Sequence, residues 1–264
     1  MTILAVEDLC KDFGGVHAIQ GLSFQVRAGS IHSIIGPNGA GKTTLFNLIT
    51  GLYAPSRGRI AFLDEPIAGQ PPHRLAGMGL LRTFQNLQVF DTMTATENVM
   101  VGRHLHILRG LVPSLLRLPG IVRSDRDARE RSLQLLDFVG LSAYADMPAG
   151  AMPYGALKRL EIARALAGEP KLLLLDEPAA GCNATETKEI DTLIQRVAAA
   201  GITVVLVEHD MSLVMGISDH ILVLDYGRKL AEGTAAQIRA NPAVIEAYLG
   251  TEGADAVPLA ADAG

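Results

Sequence analysis

Gly36-Pro37-Asn38-Gly39-Ala40-Gly41-Lys42-Thr43 is a G-x-x-x-x-G-K-[ST] run, and its reading decides the fold. A largely apolar stretch, Ile31 to Ile35, precedes it, and the helix-like Leu45-Phe46-Asn47-Leu48-Ile49 follows. That arrangement is a phosphate cradle. Glycines let the backbone curl so that successive N–H groups point at one spot, where a helix N-terminus adds its positive end and Lys42 a full charge. The Thr43 hydroxyl is suited to complete a Mg²⁺ shell. Residues Gly36, Pro37, Asn38, Gly39, Ala40, Gly41, Lys42, Thr43 and Thr44 are therefore the first candidate ligands of a nucleoside triphosphate.

Working outward, Lys171-Leu172-Leu173-Leu174-Leu175-Asp176-Glu177-Pro178 reads as a strand buried on both faces and ending in two acids. An acid at the carboxyl end of such a strand can hold Mg²⁺ through water, and the next can orient the attacking water on a γ-phosphate. Asp176 takes the first role and Glu177 the second. The same acidic triplet recurs in Phe62-Leu63-Asp64-Glu65-Pro66, but after the broken pattern Arg59-Ile60-Ala61 it reads as a turn closing a surface strand. A third β-run, Ile202 to Val207, ends in Glu208-His209-Asp210, which puts an imidazole within reach of the terminal phosphate. Leu80-Leu81-Arg82-Thr83-Phe84-Gln85 reads as a short strand finishing in a neutral amide; Gln85 could reach Mg²⁺ and the water.

The order of phosphate loop, Gln85, Tyr154-Gly155 before a basic helix, Asp176-Glu177 and His209 resembles the nucleotide-binding subunits of ABC transporters, over nearly the whole chain. Within that family, Leu160 to Leu166, Asp176 to Gly181, Glu208 to Met215 and Ala247-Tyr248-Leu249-Gly250 resemble the ATP-binding subunits of branched-chain amino-acid importers. The resemblance implies an α/β fold, a P-loop NTPase of the ABC type with a mainly parallel core sheet, an antiparallel β subdomain and a helical subdomain. It implies ATP and Mg²⁺ as cofactors and a head-to-tail pair of subunits, each phosphate loop closed by the other's signature segment. Phe13 would stack on adenine, Gln85 would touch metal and water, His209 would meet the γ-phosphate, and Tyr154 and Gly155 would face the partner's nucleotide.

The chain departs from the family's Leu-Ser-Gly-Gly-Gln signature, having Met152-Pro153-Tyr154-Gly155-Ala156. Pro153 has neither a hydroxyl nor a backbone N–H, so two donors to a partner's phosphate are gone. Cys182-Asn183 stands where the family often has Leu-Asp. The branch tolerates a Tyr-Gly signature, so the departure supports that assignment and argues against symmetric hydrolysis. The expected partners are a second, different ATP-binding subunit in a heterodimer, two membrane-spanning permease subunits and, indirectly, a solute-binding protein. The expected place is the cytoplasmic face of the bacterial inner membrane, as a peripheral subunit. A soluble ABC ATPase acting on ribosomes or DNA would carry tandem nucleotide domains or a long coiled-coil insertion. A P-loop kinase or GTPase would lack the Tyr154-Gly155 segment. An importer of another small solute stays open, because the ATP-binding subunit does not touch the cargo.

Composition narrows the rest. The 264 residues are 48% hydrophobic, yet no stretch approaches 18 uninterrupted apolar residues; the most apolar, Ile107 to Val122, is broken by Arg109, Pro113, Arg117 and Pro119. Met1 to Leu9 reads as a strand carrying Glu7 and Asp8, not a secretory segment. A net charge of −5 offers no basic stripe for nucleic acid. Cys10 and Cys182 have no paired spacing, and His104 with His106 lacks a second ligand cluster, so neither pair reads as a metal or redox site.

One nucleotide-binding domain over about residues 1–250 is expected, with a helical subdomain at about 86–165 and a disordered tail at 251–264. Gly turns in the first sixty-odd residues suggest an antiparallel β layer. Thr94 to Glu97 and Ser124 to Asp127 fit helix starts, and Leu133, Leu136, Val139 and Gly140 give one buried stripe after the second. A basic helix spans Leu157 to Leu166, Asn183 with Glu186 caps another, Asp225-Tyr226-Gly227-Arg228 turns a hairpin, and Thr234 with Gln237 opens a further helix. The face from Gln85 to Leu118 is a candidate docking surface for membrane subunits.

Overall fold

The computed structural model describes residues 1–83, 87–104 and 119–249. Gln85, His106, most of the Gln85 to Leu118 face and the tail at 251–264 lie outside them. The chain opens with two long strands, β1 (Thr2–Phe13) and β2 (Val16–Arg27), paired antiparallel. Strands β4 (Arg57–Phe62) and β5 (Glu65–Pro66) extend them into a four-stranded antiparallel sheet of order β2-β1-β4-β5. Between β2 and β4 the chain drops into a second sheet as β3 (Ile31–Ile35) and leaves it as α1 (Lys42–Ile49).

That second sheet has six strands. To β3 it adds β6 (Leu80–Arg82), β7 (Leu172–Asp176), β8 (Thr203–Val207) and the hairpin β9 (His220–Asp225) with β10 (Arg228–Gly233). The order is β10-β9-β3-β8-β7-β6; only the β9–β10 edge pair is antiparallel. All five residues of β3, β7 and β8 are buried, which is why they read as unbroken apolar runs and not as alternating ones. Register sets their ends level: Asp176 pairs with Val207, and Val207 with Ile34. Residues that follow these three strands emerge side by side at the carboxyl edge.

Helices α2 (Pro72–Met78), α3 (Ala95–Gly102), α4 (Pro119–Phe138), α5 (Tyr154–Leu166), α6 (Ala184–Ala199), α7 (Met211–Ile217), α8 (Ala235–Arg239) and α9 (Pro242–Leu249), with short 3-10 turns at Ser142–Tyr144 and Ala149–Ala151, complete the described elements. One apolar core, containing Phe46, Phe62, Leu4 and Leu174, lies between the antiparallel sheet, α1 and one face of the parallel sheet. The other face packs Leu173, Leu175 and Val204 against α3, α5 and α6. A smaller cluster under α7 to α9 gathers Ile35, Val214, Ile238 and Val244.

Thr94, Asn183 and Thr234 each cap a helix with a reciprocal bond from Glu97, Glu186 or Gln237, as their spacing predicts. Ser124 does not. It lies inside α4, which begins at Pro119, a residue whose missing N–H and fixed φ suit a first helical position. The buried face of α4 is Ala128, Ser132, Leu135 and Leu136, with Val139 buried just beyond it; Leu136 and Val139 of the expected stripe are therefore inside, while Leu133 and Gly140 are exposed. The basic helix starts at Tyr154, one turn earlier than Leu157, because Pro153 serves as its N-cap.

Candidate nucleotide site

The loop between β3 and α1 is shaped by two glycines with no room for a side chain. At Gly36 (φ 153°) a Cβ would stand 2.2 Å from the Leu224 carbonyl oxygen, and at Gly41 (φ 100°) 2.7 Å from that of Ala18. Gly227, in the β9–β10 turn, donates its N–H to Ala40 O at 3.0 Å and braces the loop from outside. Gly41 is the N-cap of α1 and offers no side-chain acceptor, so the first-turn N–H groups keep their capacity for an anion. Lys42 Nζ donates to the carbonyls of Gly36 at 2.5 Å and Pro37 at 3.0 Å. Burial lowers its pKa, while Glu177 and then Asp176 act in the opposite sense, which puts both carboxylates in its field. Asn38, Gly39 and Thr43 are exposed, and Thr44 is half-buried.

Asp176 ends β7 almost fully buried, and its Oδ2 accepts from Arg82 Nη2 at 2.6 Å. Thr83 Oγ1 accepts the Asp176 N–H at 3.4 Å. The next residue, Glu177, turns out of the sheet with φ 49°, a conformation that costs a non-glycine residue energy and concentrates at functional sites. Its N–H still bonds Val207 O at 2.9 Å, which ties the turn to the end of β8. There Glu208 is buried while His209 is exposed. His209 Nδ1 stands 4.0 Å from Glu177 Oε2 and 3.8 Å from Glu208 Oε2. Glu208 also accepts two backbone N–H groups, those of Ala179 at 3.0 Å and His209 at 3.1 Å. Phosphate loop, Asp176, Glu177 and His209 are thus neighbours at one strand edge, as their sequence positions predict. Gln85 lies outside the described residues; the chain leaves β6 toward it at Thr83, whose N–H bonds Leu174 O at 2.9 Å.

Tyr154 and Gly155 are joined to a different part of the site. The Tyr154 hydroxyl donates to Ala180 O at 3.1 Å, in the loop behind Glu177, and the backbone at Gly155 passes so close to Glu186 that a Cβ would meet Oε1 at 2.5 Å. Lys158, one turn further along α5, is buried and reaches Glu177 O at 3.5 Å. Phe13 ends β1 half-exposed; its ring meets Tyr53 edge-on with centroids 5.3 Å apart, and Lys11 Nζ stands 4.8 Å from its centre. Asp64 and Glu65 lie exposed on the β4–β5 hairpin, turned by positive φ at Leu63 and Asp64, away from the parallel sheet. Among the described residues no group of three His, Cys, Asp or Glu side chains could hold a metal, and both cysteines are free.

Arg82, Lys158 and Glu208 contact the candidate residues, and sequence reasoning gave them no role there. Arg82 and Glu208 stood in quoted stretches, but nothing local marks a charge as buried and paired. Thr43 is exposed, and its hydroxyl and the Asp176 carboxylate are hard-oxygen donors of the kind Mg²⁺ takes.

The geometry agrees with what comparison finds. An ABC transporter family model matches residues 19–180, and one for branched-chain amino acid ATP-binding cassette transporters matches 228–254. The high-affinity branched-chain amino acid transport ATP-binding protein BraF of Pseudomonas aeruginosa is 47% identical over 249 residues, covering 94% of this chain and 98% of its own. LivG of Escherichia coli K12, with the same description, is 45% identical over equal shares. A solved ATP-binding cassette of an ABC transporter in its ADP conformation superposes with a TM-score of 0.83 at 35% identity, covering 95% of this chain and 99% of its own. No helix among the described residues is long and apolar enough to cross a membrane. The chain belongs to the ATP-binding proteins of ABC transporters, in the branch of BraF and LivG.

Proposed function

We propose that this chain hydrolyses ATP to drive import of branched-chain amino acids, as a peripheral subunit on the cytoplasmic face of the inner membrane. The observation that carries the reading is the level ending of β3, β7 and β8, which gathers the phosphate loop, Asp176, Glu177 and His209. The β- and γ-phosphates would lie on the backbone N–H groups of residues 38–44, with Lys42 moving from its loop carbonyls to the phosphate oxygens. Mg²⁺, held by Thr43, Asp176 and Gln85, would neutralise phosphate charge. Glu177 orients the attacking water and accepts its proton; His209, 4.0 Å away, bonds the γ-phosphate and senses its loss. Phe13 stacks on adenine.

Residues 1–250 act as one nucleotide-binding domain with a helical part at about 86–165, whose face from Gln85 to Leu118 docks on the permease subunits, themselves fed by a solute-binding protein. Tyr154 and Gly155 face the nucleotide of a second ATP-binding subunit. The cargo assignment rests on the branched-chain amino acid transport of the relatives, which align with over nine-tenths of this chain. Uptake of labelled leucine, isoleucine and valine should fall in cells lacking this chain and return with the wild type but not with Glu177→Gln. Unchanged uptake of all three, with loss of another solute's import, would overturn the cargo and leave the ATPase reading in place.

A further inference from the structure

We propose that Arg82 is a positioning residue that sets the Asp176 carboxylate for magnesium, an inference that rests on reading Asp176 as a metal-holding residue. Arg82 is nearly buried and so is its partner, with side-chain exposures of 8% and 5%. Desolvating both charges is costly, so a buried ion pair is maintained where its geometry is good. Here the geometry is specific. Nη2 donates to Asp176 Oδ2 at 2.6 Å, while Nη1 donates to Asn47 Oδ1 at 2.6 Å and Thr50 Oγ1 at 3.3 Å. The guanidinium also lies 5.4 Å from the centre of the Phe46 ring.

Asn47, Thr50 and Phe46 lie on or at the end of α1, the helix whose first residues are Lys42 and Thr43. One planar side chain therefore spans from the helix that carries Thr43 to the strand that carries Asp176, fixing the separation of the two metal-facing oxygens. It occupies Oδ2 and leaves Oδ1 for the cation or its water. Arg82 itself is held in place by β6, where it pairs with Leu174 two residues before Asp176, and Thr83 adds its hydroxyl to the Asp176 N–H. A lysine carries the charge but not the fork, so it cannot hold Asn47 and Asp176 together.

The test measures binding of a fluorescent ATP analogue to the full chain with excess Mg²⁺ and with EDTA, and takes the ratio of affinities as the magnesium gain. Asp176→Asn should abolish most of that gain. Arg82→Gln should lower it about tenfold while leaving the metal-free affinity unchanged, with Arg82→Lys recovering part of the loss. If Arg82→Gln does not fold, Asn47→Ala, which releases only one anchor of the guanidinium, should lower the gain roughly threefold to tenfold. A wild-type gain in Arg82→Gln, or in Asn47→Ala where that variant must stand in, would reduce Arg82 to a brace and overturn the inference. A wild-type gain in Asp176→Asn would instead overturn the metal role of Asp176, and the inference with it.

Discussion

His209 Nδ1 lies 4.0 Å from Glu177 Oε2, across the gap between the ends of β8 and β7. Glu208 maintains this relationship from below, because its buried carboxylate accepts N–H groups from both loops, Ala179 on one side and His209 on the other. A carboxylate receiving charge-assisted bonds from two loops fixes them more firmly than neutral contacts would.

Glu177→Gln keeps the size and one acceptor but removes the anion that orients water. Turnover should drop by about a hundredfold or more while ATP still binds. The exposed hairpin acid, changed as Glu65→Gln, should leave hydrolysis at the wild-type rate. Steady-state ATPase assays on both variants, with the complete transporter, decide the matter; loss in Glu65→Gln alone would reverse the assignment of the two acidic triplets.

Lys42→Ala removes a cation that burial has already made costly to keep charged, and whose recorded partners are two loop carbonyls. Losing one charge-assisted contact should weaken ATP binding roughly tenfold to a hundredfold. Equilibrium titration checks this, and an unchanged affinity would sink the phosphate-loop reading.

How much of this was legible depended on how local each cause was. The strands β3, β7 and β8 were readable because burial on both faces writes itself as consecutive apolar residues. Caps were readable at Thr94, Asn183 and Thr234, since both partners lie within three residues. Ser124 shows the limit of that signal: the same residue types are tolerated within a helix when an earlier start, here Pro119, is available. Of the expected stripe Leu136 and Val139 are buried and Leu133 and Gly140 are not, because Ser132 and Leu135 complete the buried face in their place. Arg82 was illegible in a deeper sense, as its acceptor on Asp176 is 94 residues away and only the β6–β7 pairing brings them together.

His32 gives a stability prediction from inside β3. Its pKa is lowered to about 4, first by burial and then by His220, whose ring centre is 5.2 Å away, against an opposing pull from Glu232. Its Nε2 has no hydrogen-bond partner among the described residues. Between pH 6.5 and 4 the unfolded chain binds a proton that the native chain refuses, so this contribution is complete above pH 6.5 and is lost as pH falls toward 4. From pH 7 to 5 the loss should be about 1–2 kcal/mol, and His32→Val should remove most of it. Urea midpoints of both proteins at the two pH values test this; equal acid sensitivity would place the titration elsewhere.

Pro153 tests the asymmetry of the transporter. It is the N-cap of α5 with φ −60° and ψ 152°, a conformation serine adopts freely, and no side chain caps the helix. Pro153→Ser should therefore fold normally and gain up to about 1 kcal/mol from the new cap, seen as a slightly higher melting temperature. It also restores a hydroxyl and an N–H at the position that would face a partner's γ-phosphate. The Tyr154 hydroxyl is tied to Ala180 O of its own chain. If two copies of this chain build two weak sites and a different subunit completes a strong one, the wild type alone should be a slow ATPase. Pro153→Ser should then raise the rate of the isolated chain roughly tenfold, since each donor to developing charge contributes on the order of 1 kcal/mol or more. ATPase rate against protein concentration, alone and with the membrane complex, measures the effect. Fast turnover by the pure wild type, together with a transporter holding two copies of it and no second ATPase, would rule out the heterodimer.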